Sequence, residues 1–169
     1  MFKIGDVICY SLHGICRLDD VREMAHTGEP QEYYVLTPLA KAGSTLYVPC
    51  AREDLKERMR YPMTRPAMEA LLSAAPAMET VWERDFRRRS EWSKAALLSG
   101  EGERLLRLIK TIYDHKKENV AVGKRLHTTD DYFLKDAEAL LFFEMSYVLG
   151  ISVEEARPRV RTLLEFAGE

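Results

Sequence analysis

Apolar and polar positions alternate over short distances in the first part of the chain, which predicts a small β domain. Short apolar runs at 7–10, 15–18, 33–37 and 45–49 are rich in β-branched and aromatic residues. Turn residues separate these runs, at His13-Gly14, Thr27-Gly28-Glu29-Pro30 and Ala42-Gly43-Ser44. Strands of this length and spacing are typical of a small antiparallel barrel.

From about residue 64 the apolar positions follow a helical period. Thr64 is a candidate N-cap, and Ala74-Ala75-Pro76 should end the helix that it begins. Further helices are predicted over about 79–98, 101–118 and 130–149, with Thr128 or Thr129 as the N-cap of the last of these. That helix is apolar around more than one face, which predicts a position at the centre of a bundle.

The last predicted helix begins at Ser152-Val153-Glu154-Glu155, which has the form of a capping box. Pro158 lies inside this helix and should bend or restart it. The sequence as a whole therefore predicts an α+β protein, in which a small antiparallel β-barrel over 1–60 precedes an all-α helical bundle over 61–169.

Composition fits a globular protein. The 169 residues are 46% hydrophobic and 31% charged, with a net charge of −2. We expect a cytoplasmic protein, since the chain shows neither a signal peptide nor a membrane span. Three cysteines without C-x-x-C spacing favour buried thiols, and they share no ligand spacing with the histidines, so no metal is expected.

Charge is unevenly distributed along the chain. Residues 80–125 carry 12 basic and 7 acidic side chains, a net of +5, whereas 126–169 carry a net of −5. A basic cluster of this kind suits phosphate binding, although a solvated helix face with internal ion pairs gives the same pattern. Predicted i, i+4 pairs join Glu83 to Arg87 and Asp85 to Arg89, which leaves Arg84 and Arg88 as the better phosphate ligands.

Two aromatic residues, Trp82 and Phe86, flank the basic run and would share one face of a helix. They are either core anchors or exposed rings that insert into a DNA base step from the minor groove. None of the common catalytic or nucleotide-binding motifs is present, so we expect a binding protein rather than an enzyme, without a cofactor.

Several segments in a fixed order carry a family resemblance. The opening Phe2-Lys3-Ile4-Gly5-Asp6-Val7-Ile8-Cys9-Tyr10 with His13-Gly14, and the strands Tyr33-Tyr34-Val35-Leu36 and Leu46-Tyr47-Val48-Pro49, resemble the CarD-like (CarD/CdnL/TRCF) bacterial transcription regulators. The helical part is similar to a longer, Gram-positive type. Its matching residues are Trp82, Ser99-Gly100-Glu101, Leu108-Ile109-Lys110-Thr111-Ile112-Tyr113, Lys116-Lys117, Gly123-Lys124-Arg125, Asp130, Phe133-Leu134-Lys135, Ala137-Glu138 and Leu149-Gly150-Ile151.

The resemblance implies that the N-terminal module is a Tudor-like barrel that docks through an exposed strand on the β subunit of RNA polymerase. By position, the docking residues would be Met24, Tyr34, Leu46, Tyr47 and Val48. Tyr47 stands where many members carry an arginine.

The helical part would contact promoter DNA and stabilise the open complex through an aromatic wedge. Trp82 and Phe86 are the alternatives for that wedge, and the match to the longer type favours Trp82. The DNA-binding residues would be Trp82, Arg84, Phe86, Arg87, Arg88, Arg89, Lys124 and Arg125.

The resulting hypothesis is a transcription regulator, cytoplasmic and nucleoid-associated through the polymerase. Its own affinity for DNA would be weak, because the polymerase delivers it. We expect a monomer, with pairing of two exposed strand edges as the alternative. The alternative function is a protein-interaction adaptor without direct DNA contact.

Overall fold

The computed structural model describes residues 1–25, 28–41 and 43–166. Thr27 and Ala42, which belong to two of the predicted turns, lie outside the described residues. The chain divides into two compact units, Met1–Pro62 and Met63–Glu169. The sequence analysis places this boundary two residues earlier. We refer to the two parts as the sheet unit and the helical unit.

The sheet unit contains one five-stranded antiparallel sheet. Its strands are β1 (Val7–Tyr10), β2 (Ile15–Met24), β3 (Gln31–Pro38), β4 (Leu46–Pro49) and β5 (Met59–Arg60), and a short helix α1 (Glu53–Lys56) precedes the last of them. The strand order is β4-β3-β2-β1-β5, so that β4 and β5 form the two edges of the sheet. A bulge between Leu18 and Asp20 shifts the register of β2 against β3.

Alternate residues of the central strands form the core of the sheet unit. Ile8, Cys16, Leu18 and Leu36 are buried completely, because successive side chains of a strand point to opposite faces. Val48 of β4 extends this core towards the edge of the sheet.

Up to residue 166, the helical unit contains five α-helices. They are α2 (Arg65–Ala74), α3 (Phe86–Ser99), α4 (Gly102–Ala121), α5 (Thr128–Leu149) and α6 (Val153–Leu163). The sequence prediction of an α+β protein, with a β domain followed by helices, is confirmed. The central position of α5 is confirmed too, since this helix packs against all four of the others.

Several helix ends follow local sequence signals. The Thr64 side chain accepts a hydrogen bond from the Ala67 N–H, as predicted for the N-cap of α2. Ser152 and Glu155 form the predicted capping box of α6. Gly150 takes the left-handed conformation that ends α5, with a φ of 68°.

One prediction about a helix end is wrong. The N-cap of α5 is His127, whose Nδ1 accepts from the Thr129 N–H at 3.2 Å, rather than Thr128 or Thr129. At Pro158, where a bend or a restart is predicted, the helix is not restarted, because α6 runs through this residue to Leu163. Buried Ala156 and Val160 lie on either side of Pro158, and their packing opposes the interruption that a proline favours.

The predicted helix over about 79–98 is wrong in its first part, since α3 begins only at Phe86. The preceding main-chain carbonyls bond to distant side chains: those of Met78 and Glu79 accept from Lys110 and Arg107 of α4. The Glu83 carbonyl accepts from Arg89 at 2.8 Å. These tertiary hydrogen bonds occupy carbonyls that a helix would use, and 79–84 is therefore an extended segment.

Candidate functional site

The sheet unit presents the backbone of β4 at an open edge. The Cys50 N–H donates to the Glu32 carbonyl at 2.8 Å. This hydrogen bond indicates which residues of β4 direct their backbone groups towards β3. In an antiparallel pair these residues alternate, so Val48 and Leu46 bond inward while Tyr47 and Pro49 direct their backbone groups outward. The backbone N–H that points outward from this edge therefore belongs to Tyr47, because proline has no backbone N–H.

The five residues predicted to dock on the polymerase differ in exposure. Tyr47 is 47% exposed, and Leu46 and Met24 are half-buried. Tyr34 and Val48 have buried side chains in the core of the sheet unit, at 7% and 1% exposure. The Tyr34 and Val48 side chains therefore belong to the core of the sheet unit and are not accessible to a partner.

Arg89 links three parts of the helical unit. Its guanidinium forms a bidentate ion pair with Asp130 in the first turn of α5, with both N–O distances 2.9 Å. Its third nitrogen donates to the Glu83 carbonyl of the extended segment. Arg89 is 8% exposed, so it holds the segment against α5 and is not placed to bind DNA. The pairs predicted from i, i+4 spacing do not form, because Asp85 instead caps α3 through the Arg88 N–H.

Trp82 lies between two planar groups. Its ring stacks on the His115 imidazole, with a centroid distance of 3.5 Å and an interplanar angle of 6°. The Arg89 guanidinium lies 4.5 Å from the ring centroid. The indole of half-buried Trp82 is thus in contact with both planar groups. These contacts therefore help to hold the extended segment, which contains Trp82, against the helices.

Phe86, at the start of α3, is the more exposed of the two predicted wedge residues. Its side chain is 45% exposed, and its ring lies 4.8 Å from the His127 ring at the start of α5. The contact brings the first residues of two helices together. In the sequence, the basic residues before and within α3 adjoin Phe86, and those of the α4–α5 connection adjoin His127.

We call this surface the basic rim: Arg84, Arg87, Arg88, Lys124 and Arg125, all of which are exposed. Within the described residues, Arg84, Arg88, Lys124 and Arg125 form no side-chain ion pair. Arg87 has only an exposed pair with Glu91, at 3.2 Å, and such pairs contribute little. The predicted cations other than Arg89 are therefore exposed, and each lies within three residues of Phe86 or His127 in the sequence.

The two acidic residues at the start of α5 do not cancel the charge of the basic rim. Asp130 is paired with Arg89, and Asp131 is paired with Lys135 at 2.8 Å and lies 3.9 Å from Lys116. Both carboxylates also lie in the first turn of a helix, where the dipole favours negative charge.

The His115 imidazole gives the helical unit a pH dependence. Burial, with the nearby Arg89 charge, lowers the pKa of His115, although Glu118 and Asp130 act in the opposite direction. The folded state therefore favours the neutral imidazole, and protonation favours unfolding.

We expect the helical unit to lose stability as pH falls below about 6.5, the ordinary histidine pKa. Thermal unfolding followed by tryptophan fluorescence tests this, since both tryptophans lie in the helical unit. His115→Phe should keep the stacking and flatten the pH dependence between about 6.5 and 5, above the range in which carboxylates titrate. An unchanged slope in this variant would assign the effect to another group.

Within the described ranges, no group of three His, Cys, Asp or Glu side chains is arranged to hold a metal ion. The described helices include none that is long and apolar enough to cross a membrane.

The two units together define a protein with an edge-exposed antiparallel β domain and a helical unit that carries the basic rim. Residues 2–61 match the family model described as the CarD-like/TRCF RID domain, where RID denotes an RNA polymerase-interacting domain. The sheet unit is therefore similar to the CarD-like/TRCF RID domain, and the match ends where the sheet unit ends.

A protein of Bacillus subtilis (strain 168) named "Putative transcription factor YdeB" is similar along nearly the whole chain. It is 22% identical over 157 residues, which cover 93% of this chain and 98% of the relative. The similarity therefore includes the helical unit, which the family model does not reach.

The contacts that hold the candidate site together could not be predicted from the sequence. Arg89 and Asp130 are 41 positions apart, and no local spacing relates them. Trp82 and His115 are likewise remote in sequence, at 33 positions. One feature of the sequence did indicate part of the site. Arg84 and Arg88 have no acidic partner at i, i+4 spacing, and both are members of the basic rim.

Proposed function

We propose that this protein regulates transcription initiation by binding the RNA polymerase β subunit through β4 and promoter DNA through the basic rim. It would act by stabilising the open complex, which needs no covalent chemistry, because binding one promoter state more tightly shifts the equilibrium. The contact between Phe86 and His127 carries the proposal, since it unites two basic segments around an exposed ring.

Strand addition at β4 supports the polymerase half of the proposal. An added strand would take its main-chain hydrogen bonds from Tyr47, while the Tyr47 side chain contributes specificity. Pro49 limits the pairing at the end of the strand, because it lacks an N–H. The other edge, β5, has only two residues and offers a shorter template.

We expect Tyr47→Pro to abolish binding of the polymerase β subunit by the full chain. The Tyr47 N–H makes no bond within the sheet, so the substitution removes an outward donor with little loss of stability. Tyr47→Phe is the matched control, since it keeps both the backbone donor and the ring. Co-purification with the β subunit and thermal unfolding measure the two effects. Normal binding by a folded Tyr47→Pro variant would refute strand addition at this edge.

Charge and shape support the DNA half. The five cations of the basic rim are exposed and adjoin Phe86 or His127 in the sequence, and the Phe86 ring is partly accessible. Exposed cations and an accessible apolar ring are the combination found where apolar side chains enter a base step. Exposure favours Phe86 over Trp82 as the wedge, because Phe86 is 45% exposed whereas Trp82 is half-buried and stacked on His115. The chain's net charge of −2 fits weak binding to free DNA. In this proposal the protein acts in the cytoplasm and reaches the nucleoid through the polymerase.

A double variant separates this function from that of an adaptor without DNA contact. Arg84→Ala/Arg88→Ala should shorten the lifetime of open complexes while binding to the β subunit remains normal. The control is Arg157→Ala/Arg159→Ala, which removes two exposed cations from α6. Equal behaviour of the two double variants in the promoter assay would favour the adaptor.

A further inference from the structure

A cavity of about 340 Å³ lies between α3, α4 and the extended segment, beside the basic rim. Val81, Trp92, Leu108 and Ile112 provide apolar walls. Val81 and Trp92 are exposed, so the cavity opens to solvent at this side. Its volume lies at the lower end of the range in which proteins bind small ligands.

A hydroxyl side chain lines this cavity beside its apolar walls. Ser93 is 1% exposed and belongs to the lining residues. A serine hydroxyl can both donate and accept, so it can form a hydrogen bond with a polar atom of a bound molecule.

An aromatic ring and a cation stand together at the mouth. Trp92 is 40% exposed and, unlike Trp82, has no ring partner among the described residues. Arg88 lies four residues earlier on the same face of α3 and also lines the cavity. The two side chains therefore offer a stacking surface and a phosphate ligand next to each other.

We propose that this cavity binds an unpaired nucleobase, stacked on Trp92 and hydrogen-bonded to the Ser93 hydroxyl, with the adjoining phosphate on Arg88. Bases present both a flat ring and polar edges, and the site offers a partner for each. This inference rests on the proposed function, since the cavity continues the basic rim. The base would come from a DNA strand that melting has exposed. A free nucleotide offers the same chemistry.

The test compares single-stranded and duplex DNA on the full chain at low ionic strength. Fluorescence anisotropy of a labelled six-nucleotide thymidine strand measures the single-strand affinity, and a labelled duplex measures binding by the basic rim. Trp92→Leu should weaken single-strand binding about tenfold, the usual effect of losing one stacked base, and leave duplex binding unchanged. Ser93→Ala, which makes only a small change inside α3, should weaken single-strand binding without affecting the duplex.

Tyr147→Leu is the matched control for Trp92→Leu, because Tyr147 is 48% exposed near the other end of α5. Competition with thymidine monophosphate identifies the source of the base. If thymidine monophosphate displaces the labelled strand at comparable concentrations, the cavity is a site for free nucleotides. If it does not displace the strand, the cavity is a site for a DNA strand. Either result supports binding of a base in the cavity.

The inference is overturned if the wild-type chain binds duplex but not single-stranded DNA, or if Trp92→Leu lowers both affinities equally or neither. In the first case the proposed function still stands. If the chain binds neither DNA and the basic-rim variants leave open complexes unchanged, the proposed function fails as well.

Discussion

Replacing Asp130 with alanine is expected to lower the free energy of unfolding of the helical unit by roughly 3–5 kcal/mol, the usual cost of removing one partner from a buried ion pair. Asp130 has a 1% exposed side chain and pairs through both oxygens with Arg89, which is 10% exposed. The variant leaves a buried guanidinium without a counterion and releases the extended segment that Arg89 holds.

Chemical denaturation followed by tryptophan fluorescence measures this effect. Asp131→Ala is the matched control, since Asp131 is adjacent in sequence and pairs with Lys135 in a 35% exposed setting. The control should change stability by about 1 kcal/mol or less. Equal losses in the two variants would mean that the Arg89–Asp130 pair does not stabilise the fold as argued.

A second substitution, added to the Asp130→Ala variant, separates the effect of the unpaired Arg89 charge from the effect of the lost contacts. Arg89→Met in the same chain removes the uncompensated charge, and we expect it to restore part of the lost stability. The restoration should be incomplete, because the Glu83 carbonyl then loses its 2.8 Å hydrogen bond.

Phe86→Ala is expected to shorten the lifetime of open promoter complexes about tenfold or more, since an inserted ring offsets the cost of unstacking a base step. Phe86 is exposed, so stability and binding to the β subunit should change little. The measurement is the survival of polymerase–promoter complexes after addition of a competitor, with the variant in place of the wild-type protein.

Two comparisons make this result decisive. Tyr147→Ala removes a ring of similar exposure near the far end of α5, and it should leave the lifetime unchanged. Trp82→Ala should lower the stability of the helical unit, because Trp82 stacks between His115 and Arg89. If Trp82→Ala is stable and alone shortens the lifetime, the wedge is Trp82, as the resemblance to the longer type suggests.

Local patterns were sufficient for most of the secondary structure. Alternation of apolar residues marked the strands, and the signals at Thr64, Gly150 and Ser152 marked helix ends that the structure confirms. These features depend on neighbours within about four residues, which a sequence displays directly. The extended segment before α3 was the main exception, because its carbonyls bond to Lys110 and Arg107 of a later helix.

By itself, the sequence determined the order of a β domain and a helical bundle, the position of the basic segments and a resemblance that the match over 2–61 confirms. Only the tertiary structure decided which of the named side chains are accessible. It buried Arg89 against Asp130, stacked Trp82 on His115, and left Phe86 exposed beside His127. The physical reason is that the burial and pairing of a side chain depend on residues far away in the chain, here 33 to 41 positions distant.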